Sequence, residues 1–417
     1  MSPAWLIVAD DLTGAADCAV AFATRRLSAR VVWGDYHDTV LDPPLALAID
    51  SGSRVLDAPA AYAKHVELLR KRCAEGVRVF KKIDSTLRGH PAHEIAASLD
   101  VMRERSPDTR LVVAPAFPAT GRVTRGGRVF VHGAPLELTE FWPPGADPAH
   151  ANVVRLLETV GISAAPVSLD RLRSAGFVWP PDSRAVVCDA ETEADLDIIA
   201  AACAGPQPVL LAGSAGLAHA IARRISTESH RHVPPLHVPP TRHGALLVAG
   251  SQAQATRAAL RELDSLPGVE RLTLTASCLD RPQNTDEAID QRLELLQKIA
   301  DGNDLVVDFV FPDSGRNMTP TEAQQLAAKL ARRVIPFAAQ ASALVATGGE
   351  TATTLFARLG ITGIQLVDEI EHGIALGLTL GSLSVPVVTK AGGFGDAGCL
   401  RRILDRLRVI RSSGTVA

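Results

Sequence analysis

The chain has 417 residues, 47% of them hydrophobic and 21% charged, with a formal charge of -3. That globular balance suits roughly two or three domains, and it gives no electrostatic reason to expect nucleic acid as a partner. Aromatic residues make up only 4%, too few for base stacking to be a theme. The six cysteines are scattered, without CxxC or metal-ligand spacing, and read as reduced thiols. No apolar run approaches the roughly 18 residues that span a bilayer, and Asp10-Asp11 arrives before a signal peptide could form, so the expectation is a soluble cytoplasmic protein.

In chain order, a first strand is expected at Trp5–Ala9, followed by a helix from Ala15 to about Arg25. Further strands are expected at Leu45–Ile49, Val77–Lys82, Leu111–Ala114, Ala185–Cys188 and Val209–Ala212. The stretch 226–243 breaks this rhythm with four prolines and polar residues, as an interdomain linker does. Its four histidines read as solvated linker residues rather than a metal tract. Past it, strands are expected at Ala245–Ala249, Leu272–Thr275, Leu305–Phe309, Ala343–Ala346, Ile364–Val367 and Val385–Thr389. Apolar strands alternating with helical patterns predict an α/β protein of two domains, each a largely parallel sheet covered by helices. The expected division is residues 1–228, a linker over 229–243, and residues 244–417.

Four turns of the first half carry more polar chemistry than turns need. Asp10-Asp11-Leu12-Thr13-Gly14 ends the first strand; its carboxylates serve equally as helix caps or as functional groups. Asp50-Ser51-Gly52-Ser53-Arg54 offers a guanidinium fork suited to a carboxylate. Lys81-Lys82-Ile83-Asp84-Ser85-Thr86-Leu87-Arg88-Gly89 crowds cations, an acid and hydroxyls between a strand and the amphipathic pattern Pro91–Arg103. The fourth turn runs from Pro115 to Arg122. In a parallel sheet such turns share one edge, and their inventory fits a small, anionic, polyhydroxylated ligand.

The second half places small-residue turns at its strand ends: Gly250-Ser251-Gln252, Gly348-Gly349-Glu350-Thr351 and Lys390-Ala391-Gly392-Gly393. Close backbone approach and helix N-termini suit the phosphates of a nucleotide. Neither a Walker loop nor a GxGxxG fingerprint is present.

These motifs, in this order, resemble the four-carbon acid sugar kinase family over nearly the whole chain, from Leu6 to about Leu404. The resemblance implies a sugar-acid-binding first domain, a nucleotide-binding second domain, and ATP-dependent phosphorylation of the terminal hydroxyl of a four-carbon sugar acid. It assigns the substrate to Asp11, Arg54, Lys81, Lys82, Ile83 and Asp84, and the nucleotide to Ser251, Gly348, Gly349, Glu350, Thr351 and Gly393. The Lys81–Gly89 form looks like threonate and erythronate kinases, which favours D-threonate over D-erythronate and 3-oxo-tetronate.

Two positions depart from the family pattern: Gly52 stands where relatives commonly have glutamate, and Ala391 replaces a frequent serine. Asp84 or Asp11 is the expected base, and Mg²⁺ is expected with ATP although no dedicated cation cage is visible. Closure about the linker is expected to bring the two sites together. Partners beyond the sugar acid and ATP are limited to a second copy of the chain as a homo-oligomer. A sugar-acid dehydrogenase would require the missing dinucleotide fingerprint, and a sugar-acid sensor has no use for three phosphate-type turns.

Overall fold

The computed structural model describes residues 4–34, 44–205, 207–225, 234–280, 283, 285–310 and 320–416. The described residues form two compact units. One holds residues up to Ala29 and from Pro44 to Ile225; the other takes Arg30–Gly34 and everything described from Pro234 onward. Residues 226–233 of the expected linker lie outside the described residues.

The first unit is built on seven parallel strands in the spatial order Ala46–Asp50, Trp5–Ala9, Arg78–Lys82, Val209–Gly213, Arg110–Ala114, Ala185–Cys188 and Ala165–Val167. Their apolar runs do not alternate, because both faces are covered; Trp5–Ala9 is buried along its whole length. The helix Leu12–Ala23 is likewise buried on every side, which its run of small residues permits. It packs on Ala215–Arg224, and Ala58–Arg72 packs on Pro91–Arg105. From Trp5–Ala9 the chain goes first to one neighbouring strand, Ala46–Asp50, and then to the other, Arg78–Lys82. The carboxyl end of Trp5–Ala9 is therefore a topological switch point, where open α/β sheets bind ligands.

A small antiparallel sheet, Arg122–Arg125, Arg128–Val131 and Ala134–Pro135, follows the fourth polar turn and was not expected from sequence. Its strands are too short and too rich in arginine to show an apolar period. Asp189 anchors the hairpin, accepting the N–H groups of Gly126 (2.7 Å) and Gly127 (2.8 Å).

The second unit has five parallel strands in the order Val269–Thr275, Asp304–Val310, Leu246–Ala249, Leu344–Thr347 and Pro386–Lys390. Beyond them the sheet turns antiparallel, through Ile374–Gly381 and Ile361–Glu371. Arg30, Val31 and Val32, from the strand Ala29–Trp33, pair antiparallel with Gln365, Ile364 and Gly363. The α/β class is as expected; the long hairpin at 361–381 is the addition. The expected strand Ile364–Val367 is only the apolar part of its first arm, and glycines at 377 and 381 interrupt the pattern of the second. Leu236–His237 pairs with Thr415–Val416.

The C-terminal helix Cys399–Ser413 buries Leu400, Ile403, Leu404, Leu407 and Ile410, one apolar stripe at helical spacing. Asp304, 1% exposed, fixes this helix to the sheet: its carboxylate accepts from Ala245 N–H (2.9 Å), Arg408 Nε (2.8 Å) and Arg411 Nη1 (3.3 Å). Removing one partner of a buried ion pair costs about 3–5 kcal/mol, less here because both arginines can turn to water. Asp304→Ala is expected to lower the urea-unfolding free energy of the second unit by about 2–3 kcal/mol; a change within error would show that the apolar stripe alone docks the helix.

Candidate active site

At the switch point of the first unit, three turns converge. Asp11 caps the helix Leu12–Ala23: its Oδ1 accepts the Gly14 N–H (2.9 Å) and its Oδ2 the Thr13 hydroxyl (2.8 Å). The same Oδ2 accepts from Arg54 Nη1 at 2.6 Å, so this carboxylate both caps and joins the cluster. Arg54 stands in the 3-10 turn Ser53–Val55 and donates also to both oxygens of Asp10, Nε at 2.7 Å and Nη2 at 2.9 Å. Its Nη2 lies 3.3 Å from Asp84 Oδ2. Asp84 completes the group: Oδ2 accepts from Arg88 (2.6 and 3.1 Å), and Oδ1 accepts the Thr86 N–H at 2.8 Å and the Thr86 hydroxyl.

Strand alternation sorts the run Lys81–Asp84. Lys81 is completely buried; its Nζ meets Glu94 Oε2 at 2.9 Å and the Val8 carbonyl at 3.3 Å. Ile83 is buried, its N–H bonded to the Gly213 carbonyl. The structure does not bring these two side chains into the cluster. Lys82 goes the other way: its ammonium lies over the first turn of the helix, 2.7 Å from where a Cβ on Gly14 would stand. Asp11 Oδ1 lies 2.6 Å from the same point, so a side chain at position 14 would push on both groups. Lys82 is 4% exposed, and among the described residues its ammonium makes no hydrogen bond or ion pair.

Three carboxylates, Asp10, Asp11 and Asp84, thus sit among three cations, Arg54, Arg88 and Lys82. Burial opposes charge on each side and the partners overcome it. Burial raises the Asp84 pKa, but Arg88 and Arg54 together hold it well below the usual carboxylate range. Burial likewise works against Asp10, and Arg54 takes it below its ordinary value. Arg54 itself is raised well above normal by Asp10, Asp11 and Asp84, against burial. Lys82 is raised too, against burial, with Cys18, Asp84, Asp10 and Asp11 as the causes. The Cys18 thiol is itself pushed far up by burial and stays protonated, so at neutral pH the carboxylates carry the effect. Sequence reasoning placed Asp10 and Arg88 in polar turns but assigned neither to the substrate, although one adjoins Asp11 and the other lies four residues beyond Asp84. Arg122, the end of the fourth polar turn, was given no role of its own; it is 4% exposed and depressed in pKa by burial, with its guanidinium over the Phe141 ring.

In the second unit, the three small-residue turns leave the adjacent parallel strands Leu246–Ala249, Leu344–Thr347 and Pro386–Lys390. They interlock closely. A Cβ on Gly392 would lie 2.0 Å from Ser251 Oγ, and one on Gly250 only 1.9 Å from Thr351 Oγ1. Gly348 has φ 91° and gives its N–H to the Lys390 carbonyl (3.0 Å). The helix Gly349–Arg358 then starts without a side-chain cap at Gly348, and the Ala352 N–H closes its first turn on the Gly348 carbonyl (3.0 Å). The structure therefore brings together Ser251 and Gly348–Thr351, with Gly393 next to Gly392 at the rim. Lys390 is no part of that surface. It is fully buried, its Nζ donating to Thr256 Oγ1 (3.1 Å) and to the carbonyls of Ala391 and Gly392 (both 3.3 Å), and burial lowers its pKa.

Comparison with known proteins agrees with this division of chemistry. Residues 5–221 match the family described as sugar-binding N-terminal domain, and residues 246–400 the family described as nucleotide-binding C-terminal domain. The chain is 35% identical to a D-threonate kinase of Cupriavidus necator, over 95% of this chain and 96% of that one. It is 33% identical to a D-threonate kinase of Bordetella bronchiseptica, over 96% and 97%. The fold is similar to that of a solved Haemophilus influenzae protein, with a TM-score of 0.66 at 20% identity, covering 95% of this chain and 98% of that one.

The depressed Asp84 and Asp10 carboxyls make a stability prediction. The unfolded chain takes up protons near pH 4 and the native chain only below it, so the stabilisation from these groups is complete above about pH 4 and is lost as pH falls through the native values. Urea unfolding of the wild type is expected to weaken on that acid limb, and Asp84→Asn to flatten the limb. Parallel acid limbs would show that Asp84 titrates normally.

Proposed function

The chain belongs to the four-carbon acid sugar kinase family, and from that premise we propose that it transfers the γ-phosphoryl group of ATP to the terminal hydroxyl of D-threonate, giving the 4-phosphate and ADP. The observation that carries this reading is Lys82, a buried ammonium that makes no hydrogen bond among the described residues, set beside the Asp11 and Asp84 carboxylates at the switch point. An uncommitted buried cation favours an anionic ligand, and neighbouring carboxylates accept hydroxyls.

Lys82 receives the substrate carboxylate. Arg54, whose donors are taken by Asp10, Asp11 and Asp84, holds those carboxylates at fixed positions and offers its remaining face to the acid. Asp84 or Asp11 orients the terminal hydroxyl. The strongly depressed Asp84 remains an acceptor at all working pH values, and a loose phosphoryl-transfer transition state asks more for such positioning than for a strong base. Lys81 and Ile83 support this surface from behind.

The second unit offers Ser251, Gly348, Gly349, Glu350, Thr351 and Gly393 to the nucleotide. The glycine cradle beside Ser251 and the uncapped helix start suit its phosphates. Mg²⁺ would enter with the nucleotide bound at these turns and would supply charge neutralisation, an ion that needs no all-protein cage. No described helix is long and apolar enough to cross a membrane, in keeping with a cytoplasmic metabolic kinase.

ADP release by purified protein with ATP–Mg²⁺ is expected to be fastest with D-threonate in a panel of D- and L-threonate, D- and L-erythronate and 3-oxo-tetronates. Faster turnover of D-erythronate or a 3-oxo-tetronate would replace the substrate, and silence on all of them with ATP still bound would refute the acid class. Lys82→Met is expected to raise KM for the acid about tenfold or more while leaving KM for ATP unchanged.

A further inference from the structure

Behind the site lies a second polar cluster that no substrate contact explains. Glu94, on the helix Pro91–Arg105, is 1% exposed, yet two separate elements direct donors at its carboxylate. Ser53, fully buried in the turn that carries Arg54, gives its hydroxyl to Oε1 at 2.6 Å. Lys81 meets Oε2 at 2.9 Å and also donates to the carbonyl of Val8, in the strand that ends at Asp10. Ser51 Oγ extends the chain of contacts, 2.9 Å from Ser53 Oγ and 2.7 Å from the Ala9 carbonyl. His65 Nε2 approaches Glu94 Oε2 only to 3.9 Å, and burial and then Lys81 push its pKa down to about 4. His65 is therefore neutral near pH 7, and among the described residues Lys81 is the one cation in contact with the Glu94 carboxylate.

Each contact ends on a different piece of the site: Ser53 on the Arg54 turn, Lys81 on the strand leading to Lys82 and Asp84, Val8 and Ala9 on the strand leading to Asp10 and Asp11. Burying a charged pair is costly and is often no better for stability than apolar packing. A carboxylate spent in this way has its value in geometry. We propose that Glu94 is a positioning residue: with Ser53 and Lys81 it fixes the three site turns relative to one another, and so sets how Arg54 presents itself to the sugar acid. This inference rests on the kinase reading of the site and adds to it a residue that touches neither substrate.

Ser53→Ala cuts one link and leaves the Lys81–Glu94 pair intact, which avoids stranding a buried charge; Glu94→Gln tests the carboxylate itself. Both are to be measured in the full chain by calorimetric titration with D-threonate and with ATP, and by kcat/KM. Ser53→Ala is expected to fold with a thermal midpoint near that of the wild type, to bind D-threonate about tenfold more weakly and to bind ATP unchanged. In an Arg54→Lys background it is expected to cost much less, because the two act as one unit. A Ser53→Ala protein with wild-type affinity for D-threonate, or losses that simply add to those of Arg54→Lys, would overturn the proposal, even if Glu94→Gln fails to fold. A wild type that binds no four-carbon acid at all would overturn the kinase reading and this inference with it.

Discussion

Everything in the first unit's site depends on one guanidinium. Arg54 holds carboxylates from two turns distant in sequence, Asp10 and Asp11 on one and Asp84 on the other, within 2.6–3.3 Å. Three buried carboxylates this close cannot all stay ionised without such a partner. With Arg54 in place and Arg88 on the same Asp84 oxygen, Asp84 stays charged well below its usual pKa, Asp10 below its own, and all three keep fixed directions. The cluster is then neutral only if Lys82 is counted, and Lys82 is the member whose charge is answered at a distance rather than by contact. That imbalance of contacts, inside a balance of charge, is what makes the surface receptive to an anion.

The fold was legible because covered parallel strands write themselves as apolar runs. Trp5–Ala9 and Leu246–Ala249 needed no subtler signal. What escaped was structure without periodicity or without locality. The hairpin at 122–135 has three short strands and too few apolar positions to show alternation. The strand Ala29–Trp33 reads as any apolar run, and nothing local says that its residues 30–32 pair with 363–365, more than 300 positions away.

The site was half legible for a related reason. Asp11, Arg54 and Asp84 stood out because they follow strands directly. Lys81 and Lys82 are chemically identical neighbours, and only the register of Arg78–Lys82 in the sheet gives one to Glu94 and the other to the cluster. Likewise, Lys390 opens one of the small-residue turns in sequence, where a free point charge and a solvated lysine read alike, but its ammonium is consumed by Thr256 and two carbonyls. Gly14 belongs to a legible motif, but its closeness to both Asp11 Oδ1 and the Lys82 ammonium required coordinates. Sequence located the turns, and the third dimension decided which side chains of each turn face outward.

Calorimetric titration of D-threonate into Arg54→Lys, with ATP as the control ligand, tests the central claim most directly, since lysine keeps the charge and loses the fork that holds three carboxylates at once. The expected result is a loss of D-threonate affinity of about a hundredfold with ATP binding intact. An Arg54→Lys protein that binds D-threonate as tightly as the wild type would contradict the view that this guanidinium organises the site.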